Sequence, residues 1–116
     1  MLDKQLKLWE NLKEEDTLKD VQNYIKNVIE IRGFDKQPVE QTMLLLVEEV
    51  GELAKAIRKD ATTMKFDKNK LEHYDTIESE IADVFIVLTS VCNKLNIDLY
   101  DAVKNKEEEN IKRHWN

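Results

Sequence analysis

The sequence predicts an all-α fold. Three observations lead there. Only two Gly and one Pro occur in 116 residues, too few turn formers for a many-stranded chain. Charged residues make up 36%, which suits helices with solvated faces. Apolar residues recur at i, i+3, i+4 and i+7 in successive stretches, the spacing that collects them on one side of a helix.

The elements follow in order. Residues 2–14 read as a short helix with Leu2, Leu6 and Trp9 on one side. Thr17 and Asp20 have capping-box spacing and open a helix that runs to about Arg32. Leu18, Val21, Ile25, Val28 and Ile29 supply its apolar stripe, and Gly33 stops it. Pro38 suits the first turn of the next helix, 38–59. Met43, Leu46, Val50, Leu53, Ala54 and Ile57 share a broad face there, and the run from Met43 to Val47 is apolar nearly all round. Such a helix is buried on more than one side, which points to an oligomer. Residues 60–74 show no firm period and read as a connection. Asp75 and Glu78 have capping-box spacing for a helix at 76–95, whose stripe is Ile77, Ile81, Val84, Leu88, Val91 and Leu95. Asp98 caps the last helix, 99–114, with Leu99, Ala102 and Val103 facing inward.

Composition excludes several functions. The net charge is −6, so no nucleic acid polymer is expected as a partner, because phosphate contacts need a basic surface. One cysteine, Cys92, allows no intrachain disulfide and suits a small buried hydrophobe. The first residues hold no apolar run long enough for a signal peptide. No stretch approaches the ~20 apolar residues that span a bilayer. No membrane partner and a soluble, cytoplasmic protein are the expectation.

Two acidic clusters interrupt the apolar helices. Glu48, Glu49 and Glu52 lie in LLLVEEVGELAKAI, and Glu80 and Asp83 lie in ESEIADVFIVL. At about 100° per residue, Glu49 sits at the edge of the apolar arc, with Glu52 one turn on and Glu48 toward the polar side. Glu80 projects between Val87 and Val91, inside its stripe, and Asp83 flanks it. A carboxylate on an apolar face is costly unless paired or bound to a cation. Four carboxylates from two facing i, i+3 pairs need cations to ionise together. Hard oxygen donors suit Mg2+, and Mg2+ suits chemistry on a phosphate ester or anhydride. Taken alone, Glu48 with Glu52 reads as a solvated face or as partners of Lys at i+4, whereas Glu80 among Val neighbours does not. In the last helix Lys106, Asn110 and Arg113 align at i, i+4 and i+7. That row is equally suited to gripping phosphate oxygens and to a solvated helix end favoured by the dipole.

Together these residues resemble a known family. The pattern EExxE at Glu48-Glu49-Val50-Gly51-Glu52, followed by ExxD at Glu80-Ile81-Ala82-Asp83, resembles the signature of MazG-type nucleoside triphosphate pyrophosphohydrolases. RGF at 32–34, LVEEVGELAKAI at 46–57, EIADVFIVL at 80–88 and the tail DAVKNKEEENIKRHW agree. The resemblance covers about 18–115, the core of a single domain 1–116 with residues 1–16 as an N-terminal extension. It implies a four-helix MazG-like bundle plus the short N-terminal helix, assembled as a homodimer or homotetramer. It implies Glu49, Glu52, Glu80 and Asp83 as Mg2+ ligands, with Mn2+ as a substitute, and Glu48 as a supporting carboxylate. It places Lys106, Asn110 and Arg113 near the nucleotide's phosphates and sugar. The long gap between the motifs, 53–79, leaves base preference open.

The reaction so implied is Mg2+-dependent hydrolysis of a (d)NTP to the (d)NMP and pyrophosphate, by water attack at the α-phosphorus. Alternatives are a dUTPase- or dCTPase-like or a phosphoribosyl-ATP pyrophosphohydrolase-like member of the same superfamily, or a non-catalytic helical oligomerisation module. A ferritin-like di-iron protein needs Glu-x-x-His pairs. His73 and His114 are the only histidines, and neither follows a Glu by three residues. Trp9, Tyr24, Phe34, Phe66 and Tyr74 are the aromatics that could stack on a base, and each also suits packing.

Overall fold

The computed structural model describes residues 1–61 and 76–113. The expected all-α class is what it shows. Five helices follow in order: α1 Leu2–Asn11, α2 Leu18–Arg32, α3 Val39–Ala61, α4 Ile77–Lys94 and α5 Leu99–Ile111. The described residues hold no strand. The chain divides into two compact units. One is Met1–Gln37 with Cys92–Asn116 and holds α1, α2, the last turn of α4, and α5. The other is Pro38–Val91 and holds α3 and the rest of α4.

In the first unit the expected local signals act as anticipated. Thr17 Oγ1 accepts from the Asp20 N–H at 3.1 Å, and Asp20 Oδ2 accepts from the Thr17 N–H at 3.0 Å. That reciprocal box satisfies two N–H groups that the helix start leaves open. Gly33 ends α2 at φ 83°, a left-handed conformation that only glycine adopts without strain. Ile25 and Val28 are buried on the α2 stripe. Asp98 Oδ1 accepts from the Asp101 N–H at 2.8 Å and opens α5.

Three helices are shorter than expected, α4 only by one residue at each end. α1 stops at Asn11, because Asp16 Oδ2 accepts from the Lys13 N–H at 2.9 Å and draws the chain into a turn. α5 stops at Ile111. The inward face expected for Ala102 and Val103 is also corrected: both are exposed, and α5 buries no residue. The connection expected at 60–74 starts later, since α3 takes in Asp60 and Ala61; the rest of it with His73, Phe66 and Tyr74, the expected cap Asp75, and His114 and Trp115 lie outside the described residues. Thr76 does cap α4, its Oγ1 accepting from the Ser79 N–H at 3.2 Å.

Polar side chains tie the first unit together in a way no periodicity suggests. Gln22 is buried. Its Nε2 donates to Asn93 Oδ1 at 2.9 Å and to the Ile97 carbonyl at 2.8 Å, and its Oε1 accepts from the Leu99 N–H at 2.9 Å. Asn93 Nδ2 returns a bond to the Gln22 carbonyl. α2 therefore holds the α4–α5 turn, where Asn96 takes a positive φ of 55°. Lys19 adds ion pairs to Asp98 at 2.9 Å and Asp101 at 3.1 Å.

In the second unit the apolar arc of α3 is turned from its expected position. Thr42 and Ala56 are buried, and Leu46, Glu49 and Leu53 are half-buried between them. Met43, Leu44, Val47, Val50 and Ile57 are exposed. A helix that is apolar nearly all round cannot declare which side meets its own chain. The same holds on α4, where Ile81 and Leu88 are exposed while Thr89 and Ser90 are buried. No described helix is long and apolar enough to cross a membrane.

Candidate metal centre

α3 and α4 bring three of the five acidic residues together. Glu49 lies near the middle of α3, on the half-buried row between Leu46 and Leu53. Glu80 and Asp83 lie one turn apart in the first turns of α4, on one side by their i, i+3 spacing. Each of the three offers a carboxylate oxygen, and these oxygens all lie within 4.8 Å of one another. Glu80 is only 5% exposed, while Glu49 and Asp83 are half-buried. The expectation that Glu80 points inward and that Asp83 flanks it agrees with these positions.

The electrostatics follow from the geometry. Glu49 has its pKa raised, first by burial and then by the negative charges of Asp83, Glu80, Glu52 and Glu48. Burial disfavours the charged form, and each nearby carboxylate does so again. A divalent cation among the three oxygens would reverse both effects.

Glu52 and Glu48 stand outside the trio. The Glu52 carboxylate lies 3.9 Å from Lys55 Nζ, one turn along the same helix. Glu48 is exposed. Both are still close enough to add to the repulsion felt by Glu49. The expected facing pair is thus centred on Glu49, with Glu52 one turn further along the helix.

The basic row sits on α5, in the first unit. Lys106 Nζ lies 3.3 Å from Glu109 Oε2, and Asn110 Nδ2 donates to Glu107 Oε2 at 3.3 Å. Asn110 is half-buried, whereas Lys106 and Arg113 are exposed. Arg113 follows the end of α5.

The three carboxylates fit a hard cation. They are all oxygen donors, which suit Mg2+, Ca2+ and Mn2+ over softer metals. Oxygens around an octahedral Mg2+ stand roughly 3–4 Å apart, so side-chain rotation suffices to close a 4.8 Å spread. Three protein ligands also leave positions for water or substrate oxygens, as Mg2+ prefers.

Residues 37–116 match the family model of the MazG nucleotide pyrophosphohydrolase domain. All eight expected site residues fall in that range. No curated protein matches the chain. Among solved structures, the fold is similar to YpjD from Bacillus subtilis, described as a candidate pyrophosphatase. The TM-score is 0.65 at 26% identity, over 84% of this chain and 97% of that one.

Proposed function

Because the chain belongs to the MazG nucleotide pyrophosphohydrolase family, we propose that it hydrolyses a (d)NTP to the (d)NMP and pyrophosphate with Mg2+. The observation that carries this reading is the carboxylate trio of Glu49, Glu80 and Asp83, whose oxygens lie within 4.8 Å of one another. In the reaction a water oxygen forms a bond to the α-phosphorus. The bond from that phosphorus to the oxygen bridging to the β-phosphorus breaks, and pyrophosphate leaves.

Each residue of the chain has a proposed part. Glu49, Glu80 and Asp83 hold the ion, and Glu52 supports them from the next turn of α3. Bound there, Mg2+ supplies a countercharge to the phosphates and Lewis acidity, and Mn2+ would serve similarly. Glu48 is exposed beside this group and would accept a proton from the attacking water. Lys106 and Arg113 would carry charge on the departing pyrophosphate, and Asn110 would contact the sugar or phosphates. The family pattern supports these last three roles.

The functional unit is proposed as one MazG-like domain across 1–116, with residues 1–16 as an extension, working in the cytoplasm where nucleoside triphosphates are abundant. Self-association as a homodimer or homotetramer is part of the proposal. The exposed Met43, Leu44, Val47 and Val50 on α3 support it, since a run of large apolar residues at the surface favours burial against a partner.

The test is pyrophosphate release from a panel of NTPs and dNTPs with Mg2+, on the wild-type chain and on Glu80→Gln. Wild type should release pyrophosphate from at least one substrate, and Glu80→Gln should not, with helicity retained. A preference for dUTP, dCTP or phosphoribosyl-ATP would assign the chain to a narrower branch. An inactive wild type with no Mg2+-induced stabilisation would favour a non-catalytic helical module.

A further inference from the structure

The groove between α1 and α2 lies wholly in the first unit and before residue 37, where the family match begins. It holds two adjoining cavities. One, of about 240 Å3, has Asn11, Asn23 and Asn27 on its walls together with Asp16, Asp20 and Tyr24. The other, of about 390 Å3, has Lys4, Lys7 and Glu30. Leu8 and Asn27 line both, so the two volumes meet at that pair.

The two ends differ in chemistry. Asp20, Asn23, Tyr24 and Asn27 fall at i, i+3, i+4 and i+7 and share one side of α2. Asn is a poor helix former, yet Asn23 and Asn27 stand one turn apart inside α2. Among the described residues, no hydrogen bond engages the side chains of Asn11, Asn23 or Asn27. Three amides therefore offer donors and acceptors to whatever fills the cavity. Asp16 and Asp20 each use Oδ2 to accept from a backbone N–H, which leaves a second carboxylate oxygen as an acceptor. Tyr24 is half-buried and adds a ring suited to stacking. No lysine or arginine lines this end. The opposite end carries two lysines against the one carboxylate of Glu30.

Such a groove suits an elongated ligand with a planar hydrogen-bonding head and an anionic tail. An Asn amide reads the edge of a base bidentately, and a carboxylate accepts from an exocyclic amino group. A phosphate carries a charge of about −1.5 to −2 at pH 7, which two ammonium groups attract and the acidic end repels. Along α2, Asp20 and Glu30 stand roughly 15 Å apart, room for both parts. We propose that the α1–α2 groove binds a nucleoside monophosphate with an amino-bearing base, the base among the asparagines and the phosphate at Lys4 and Lys7. Neither the metal centre nor the reaction proposed above enters this argument, although the ligand is of the class that the reaction would release.

The experiment is calorimetric titration of the full chain with AMP, CMP, GMP and UMP in EDTA, where no divalent ion can draw a phosphate to the carboxylate trio. At least one of the first three should bind. UMP lacks the amino group and should bind about tenfold more weakly than the best of them. Asn23→Ala with Asn27→Ala should weaken the best ligand about tenfold or more at unchanged helicity. Lys4→Gln with Lys7→Gln should weaken it too, while leaving binding of the matching nucleoside unchanged. Glu80→Gln should bind as wild type does. If the asparagine variant loses helicity, the lysine variant decides alone, since Lys4 and Lys7 are exposed. No binding of AMP, CMP or GMP up to about 1 mM would overturn the proposal. So would wild-type affinity in either folded double variant, or binding lost in Glu80→Gln. A chain that binds the nucleotide in this way yet releases no pyrophosphate would overturn the proposed reaction and leave this site standing.

Discussion

Glu49 on α3 and Asp83 on α4 offer carboxylate oxygens within 4.8 Å of each other. The pKa of Glu49 is raised by burial first and by the charge of Asp83 second. Two helices thus hold like charges together at a cost that a cation would remove.

That cost has a pH signature. A folded-state pKa raised above the unfolded value contributes stability that is fully present below the unfolded pKa and is lost as pH rises through the folded one. Without metal, the chain should therefore lose stability as pH rises from the ordinary Glu value, about 4.3, upward. Thermal melts in EDTA across that range would show it, and Mg2+ or Mn2+ should flatten the slope. Glu49→Gln should also flatten it and raise the metal-free melting temperature near pH 7 by roughly 2–4 °C, as expected for relief of about half a kcal/mol.

The trio and its neighbour should separate in activity. Glu49→Gln should lower kcat/KM for pyrophosphate release by about a hundredfold or more, because it removes a charged group from the proposed ligand set. Glu52→Gln, whose carboxylate lies beside Lys55, should lower it by about tenfold, the lower end for a supporting group. Equal losses in the two variants would place Glu52 among the ligands.

Gln22 should matter to stability. Gln22→Ala strips partners from the Asn93 side chain, the Ile97 carbonyl and the Leu99 N–H. Unsatisfied buried groups cost about 1–3 kcal/mol each before relaxation and water entry. A net loss of about 2–4 kcal/mol in urea unfolding is expected.

The two glycines should respond in opposite directions. Gly33 has φ +83° and open space where a Cβ would stand. Gly33→Ala should thus destabilise by about 1 kcal/mol through backbone strain alone. Gly51 lies inside α3, also with open space around a Cβ. Gly51→Ala should stabilise by about 0.5–1 kcal/mol, the difference in helix propensity. Denaturant midpoints would read both.

Much of the site could be read from one dimension because its signals are local. Glu80 on an apolar stripe and the i, i+3 partner Asp83 need only helical periodicity to be noticed. Which α3 carboxylate they would meet was a finer matter. Glu49 and Glu52 are one turn apart, a wheel places them on neighbouring rows, and both are half-buried; the approach of a Glu49 oxygen to those of Glu80 and Asp83 made the choice. Lys94, whose Nζ donates to the Phe34, Asp35 and Gln37 carbonyls, carried no signal at all, because no residue type announces a main-chain partner.

The sequence by itself determined the all-α class, the caps at Thr17 and Asp98, the stop at Gly33 and the acidic residues around which a cation can bind. Each of these depends on neighbours a few residues away, within reach of helical spacing and backbone geometry. Tertiary structure decided the rest: which face of α3 is buried, that Glu49 joins Glu80 and Asp83, that Gln22 grips the α4–α5 turn, and that Lys94 clasps the connection before α3. Those outcomes depend on atoms far apart in the chain competing for the same space and the same hydrogen-bond partners, and only the folded arrangement resolves that competition.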